Sequence, residues 1–121
     1  MARDTLSVQK LTRNGATVST GQTINPSNGI VIPAAGNTRN LWFEVRNTNG
    51  TIGTVTVKAG TNPPAFQSAL GDVTFTVPAT TGVREAFIDS ARFAQDNGDI
   101  YLDFSANMAG TVFAYRLPDG Y

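Results

Sequence analysis

The sequence predicts an all-β fold: a single-domain antiparallel β-sandwich or barrel, jelly-roll-like, of seven to eight strands with at most one short helical turn. Three observations carry this expectation. The dipeptide Asn-Gly occurs at Asn14-Gly15, Asn28-Gly29, Asn49-Gly50 and Asn97-Gly98, and it suits the two positive φ angles of a type I′ hairpin turn. Between these marks lie short runs rich in Thr, Val, Ile and aromatic residues. Several runs alternate apolar and polar residues with period two, the pattern of a strand with one buried face.

In chain order, Thr5 to Thr12 reads as the first strand, Ala16 to Thr20 as the second and Gly29 to Ile32 as the third, after a long loop from Gly21 to Gly29. Asn40 to Asn47 sets Leu41, Phe43 and Val45 against Trp42, Glu44 and Arg46. Thr51 to Lys58 follows, and then a second long loop, Gly60 to Gly71, which contains Pro63-Pro64 and Phe66. Asp72 to Val77 sets Val73, Phe75 and Val77 against Thr74 and Thr76. The segment Val83 to Gln95 fits two patterns, because Val83, Ala86, Phe87, Ser90, Ala91 and Ala94 also make a helical stripe. Its entrance has Gly82 and no capping box, which favours a strand from about Arg84 to Ile88 and a helical turn near Asp89 to Phe93. Asp99 to Ala106 sets Ile100, Leu102 and Phe104 against Tyr101, Asp103 and Ser105. Thr111 to Leu117 is partly apolar on both sides, with Phe113, Tyr115 and Leu117 facing one way and Val112 and Ala114 the other. Such a strand calls for cover twice over, a neighbouring subunit being one source.

No linker divides the chain, and 121 residues suit one domain, 1–121. With no His and no Cys, Ser-His-Asp and Cys-His sites, the usual zinc sites and disulfide frames are excluded. Nine basic and nine acidic side chains, scattered singly, set up no field for phosphate backbones or anionic bilayers. Neither nucleic acid nor membrane is expected as a partner. Met1 to Lys10 lacks the apolar core of a signal peptide, and Ile30 to Ala35 is too short to span a bilayer.

The remaining chemistry is sparse. Asp96-Asn97-Gly98-Asp99 with Asp103 could hold Ca²⁺, but the spacing is not that of an EF-hand, and a hydrated hairpin turn accounts for it better. Glu44, Glu85 and Asp103 are the carboxylates available to a glycosidase, and nothing in the sequence brings two of them together. No catalytic, cofactor-binding or metal-binding residue is assigned. Trp42, Tyr101 and Tyr115 lie on expected strands and could form a protein contact or a platform for sugar rings. Phe66, after Pro63 and Pro64, could anchor its loop to a partner.

The order of motifs adds to this. A-R-x-x-L-x-V-x-K-L-T-R-N-G at Ala2 to Gly15, N-L-W-F-E-V-R-N at Asn40 to Asn47, T-V-P-A-T-T-G at Thr76 to Gly82, D-I-Y-L-D-F-S at Asp99 to Ser105 and T-V-F-A-Y-R-L at Thr111 to Leu117 resemble small structural proteins of tailed double-stranded DNA bacteriophages. These are strand and turn patterns rather than catalytic signatures. The resemblance implies a capsid decoration, or cement, protein without enzymatic activity. Such a protein sits on the outer face of the expanded head, commonly as a homotrimer, and bridges subunits of the major capsid protein. It also implies an N-terminal arm, which by position is Met1 to Thr5, with Arg3 and Asp4 as its polar contacts. The residues expected to meet a partner are therefore Arg3, Asp4, Trp42, Pro63, Pro64, Phe66 and Tyr115. The alternative is a tail-associated or surface carbohydrate-binding β-sandwich using Trp42, Tyr101 and Tyr115.

Overall fold

A computed structural model describes residues 3–12, 14–15, 21–33, 41–61, 65, 67–87, 90–93, 95 and 98–117. Its strands are β1 (Asp4–Thr5), β2 (Val8–Lys10), β3 (Gln22–Thr23), β4 (Ile30–Ile32) and β5 (Leu41–Asn47), followed by β6 (Gly53–Val57), β7 (Val73–Val77), β8 (Gly82–Phe87), β9 (Ile100–Phe104) and β10 (Gly110–Arg116). A 3₁₀ turn, Ser68–Leu70, and one α-helical turn, α1 (Ser90–Phe93), complete the described elements. The doubtful segment after Gly82 is thus a strand followed by a helical turn.

Two sheets form, in the orders β1-β4-β9-β6-β7 and β2-β10-β5-β8, with β3 also on β10. The antiparallel pairs β6 with β7, β5 with β8, β4 with β9 and β3 with β10 are nested. A long hairpin whose nested pairs are dealt alternately to two sheets is a jelly roll. The sandwich form of the expectation holds, since among the described residues each sheet keeps open edges and no barrel closes.

Two details differ from the sequence reading. The described residues contain ten strands, and two of the pairings are parallel: β1 on β4 and β2 on β10. The expected strand Thr5 to Thr12 is not one strand: β1 ends at Thr5 and β2 begins at Val8, because the chain crosses between the sheets at Leu6. That side chain is 2% exposed, and its N–H donates to Val31 O at 2.9 Å. The two-residue β3 is too short to show a period. Ala16 to Thr20 lies outside the described residues.

Two of the Asn-Gly pairs fall between described strands, and there they mark turns but not hairpins. Asn28-Gly29 joins β3 to β4 and Asn49-Gly50 joins β5 to β6, each time from one sheet to the other. Among the described residues the hairpin of successive strands is β6–β7, whose loop contains no Asn-Gly. A positive-φ glycine such as Gly29, at +69°, serves any tight reversal. Which sheet the next strand joins depends on the apolar face it must bury.

That face is regular. Ile30, Ile32, Val55, Val57, Val77, Ile100, Leu102 and Phe104 project from one sheet onto Leu41, Phe43, Val45, Val112 and Ala114 of the other. Phe43 and Phe75 meet across the sandwich with ring centroids 6.1 Å apart. Asn47, 1% exposed, continues the inward row of β5 at one end of the core. Its Nδ2 donates to Thr51 O at 3.0 Å and lies 3.3 Å from Pro78 O, while its Oδ1 accepts from Asn49 N at 3.0 Å. A single amide thereby satisfies two loops that bridge the sheets.

Candidate interaction surface

The inward residues of β5 and β10 leave Trp42, Glu44 and Arg46 on the outer face, with Thr111, Phe113 and Tyr115 beside them. Strand register then lays out three rows. Tyr115, Trp42 and Phe87 form one across β10, β5 and β8. Phe113, Glu44 and Glu85 form the next, and Thr111, Arg46 and Val83 the third. Trp42 and Tyr115 have ring centroids 5.7 Å apart, and Phe113 stacks on Tyr115 at 6.3 Å with the planes within 4°. The Arg46 guanidinium lies over the Phe113 ring at 4.8 Å while its Nε donates to Glu44 Oε2 at 2.7 Å. Burial pushes the Tyr115 phenol above its usual 10.0; the Glu44 and Glu85 carboxylates add to that rise and Arg46 opposes it.

The face is filled on one side and open on the other. Phe113 and Tyr115 are 7% and 9% exposed, so the second cover of β10 comes substantially from its own chain, including the Gly21 backbone, where a Cβ would crowd the Phe113 ring. Trp42 is half-buried, whereas Val83 is 48% and Phe87 88% exposed on β8. Strand β8 ends the sheet, and among the described residues no strand pairs with its free edge.

Arg3 and Asp4 lie at the edge of the other sheet, engaged within their own chain. Arg3 Nη1 donates to Leu102 O at 2.9 Å and to Asp103 Oδ1 at 2.5 Å, and its guanidinium lies 4.4 Å from the Tyr101 ring centroid. Asp4 N donates to Gly29 O, and Asp4 Oδ1 accepts from Asn28 Nδ2, both at 3.1 Å. A Cβ at Gly29 would collide with Arg3, so this clasp depends on glycine. Residues 3–5 therefore lie along β4, and β1 is a strand of the sandwich's own sheet.

Of the expected contact residues, the structure unites Trp42 with Tyr115 and separates both from Arg3 and Asp4. Pro63, Pro64 and Phe66 lie outside the described residues. The platform of Trp42, Tyr101 and Tyr115 is not assembled, because Tyr101 belongs to the outer face of the opposite sheet. Glu44 and Glu85, which spacing alone could not bring together, are directly opposed across β5 and β8. Asp103 lies on the other sheet. Among the described residues no three His, Cys, Asp or Glu side chains are grouped to hold a metal, and no helix is long and apolar enough to cross a membrane. Ser7-Val8-Gln9-Lys10 has the S-x-x-K spacing of serine–lysine nucleophile sites. Ser7 lies ahead of β2 and Lys10 ends that strand, and both are exposed rather than desolvated as such a pair requires. Sequence reasoning missed Val83 and Phe87 as surface residues. Their signal was present, but it was absorbed into the alternative helical stripe.

Comparison of the chain with protein-family models, curated proteins and solved structures finds no match.

Proposed function

We propose that this chain is a structural virion protein that decorates the outer surface of a phage capsid and bridges major capsid subunits, acting by burying surface rather than by chemistry. The observation that carries the reading is the exposed apolar margin of the outer aromatic face, with Phe87 at 88% and Val83 at 48% on a strand that ends its sheet among the described residues. A shell component needs such a surface, because each copy stabilises the assembled state by the free energy of its contacts. The strand motifs quoted above point the same way. Jelly rolls serve in viral shells and in lectins alike, so fold-level analogy alone does not separate the two uses.

The test adds purified protein to expanded, undecorated heads and follows co-sedimentation and resistance of the heads to heat. Wild-type protein is expected to bind, and Phe87→Ser to bind more weakly. Failure to bind such heads under any condition overturns the proposal. Carbohydrate recognition keeps the adjacent Trp42 and Tyr115 rings in its favour. A glycan-dependent change in Trp42 fluorescence, lost in Trp42→Ala, is its signature.

A further inference from the structure

We propose that the free edge of β8 accepts an extended strand from another polypeptide, one whose alternate residues on the outer face run apolar, basic, apolar. This names what the partner in the decoration reading offers, and it rests on that reading only for the partner's origin.

Three observations define the occupant. The first is the edge itself: β5 pairs β8 on one side, and among the described residues no strand pairs the other, leaving a row of backbone donors and acceptors able to extend the sheet. The second is the pattern Val83, Glu85, Phe87 on the outer face, an apolar, acidic, apolar series in which all three residues are exposed. The third is charge. Glu44 is neutralised by Arg46 at 2.7 Å, while Glu85, directly opposite Glu44, has no ion-pair partner among the described residues. Arg84 and Ala86 alternate onto the other face. An incoming strand with a Lys or Arg opposite Glu85 supplies the missing charge, and its apolar neighbours two residues away lie against Val83 and Phe87.

A second copy of this chain is a poor occupant. Antiparallel pairing of β8 with itself about a two-fold axis normal to the sheet lets only same-face residues meet. The register that matches Val83 with Phe87 of the other copy sets the two copies of Glu85 face to face. A shift of two residues places Glu85 against an apolar residue instead. The charge on this edge thus disfavours self-association and selects a basic partner.

The chain's single tryptophan, Trp42, lies opposite Phe87 and reports occupancy of the edge. The probes are a blocked peptide Thr-Val-Thr-Lys-Thr-Val-Thr, its counterpart with Glu at the centre, and the Lys peptide N-methylated at alternate positions. Saturable change in Trp42 emission is expected with the Lys peptide, weaker binding by roughly threefold to fivefold with the Glu peptide, as suits an exposed ion pair, and loss of binding on N-methylation. Glu85→Lys should reverse the preference. Absence of binding by either unmethylated peptide, an unchanged preference in Glu85→Lys, or undiminished binding of the methylated peptide overturns the proposal. Peptide binding without attachment to heads would remove the decoration reading and leave the strand site. Attachment to heads with the peptide results negative would do the reverse.

Discussion

Replacing Arg3 with Ala removes a clasp whose parts can be weighed separately. The guanidinium donates to Leu102 O at 2.9 Å, a hydrogen bond from a charged group worth about 1.5 kcal/mol. Its ion pair with Asp103 is partly exposed, with side-chain exposures of 22% and 43%, so solvent screening reduces it to about 0.5 kcal/mol. The contact with the Tyr101 ring at 4.4 Å adds a similar amount, about 0.5 kcal/mol. Because these terms share one side chain, a loss of about 2 kcal/mol is expected. For a chain of 121 residues this lowers the melting temperature by about 8 °C. Arg3→Lys keeps the charge but not the planar fork, and should recover about half of the loss. Differential scanning calorimetry at low and high salt reads both variants, with only the ion-pair share responding to salt. A melting temperature for Arg3→Ala within about 2 °C of wild type would falsify the argument that β1 is held to its own sheet by this clasp.

Asn47→Ala leaves the carbonyls of Thr51 and Pro78 without their donor at the end of the core, and should cost about 2 to 3 kcal/mol by urea denaturation with an unchanged m-value. The Asp72 carboxyl is held below its usual 3.8, first by the Ala59 N–H at 2.6 Å and then by Lys58 at 2.9 Å. A depressed folded-state value contributes stability above pH 3.8 that is lost as pH falls through the lower folded value. The gap in stability between wild type and Asp72→Asn should therefore narrow on acidification from neutral pH to below pH 3.8, as followed by chemical denaturation. Glu85→Gln relieves the like charge facing Glu44 and should raise stability by about 0.3 kcal/mol at low ionic strength, with the gain fading in salt. Phe87→Ser, at a side chain 88% exposed, should shift stability by less than about 0.5 kcal/mol, so that any loss of attachment to heads reports the surface and not the fold.

What the chain reveals about itself is local. Leu41, Phe43 and Val45 against Trp42, Glu44 and Arg46, or Ile100, Leu102 and Phe104 against Tyr101 and Asp103, declare both a strand and its buried face, because side-chain direction alternates with backbone period. Absence of His and Cys likewise needs no coordinates to exclude whole classes of chemistry. Pairing is a different matter. That Asn28-Gly29 leads across the sandwich, that β1 and β2 run parallel to their neighbours, and that Tyr115, Trp42 and Phe87 fall in one row all depend on long-range register. Register is chosen by the whole core at once, since a slip of one residue would turn every apolar side chain outward. The opposition of Glu44 and Glu85, 41 positions apart in sequence, has the same origin. No local spacing encodes it, and only the closing of two sheets over one apolar layer brings those carboxylates together.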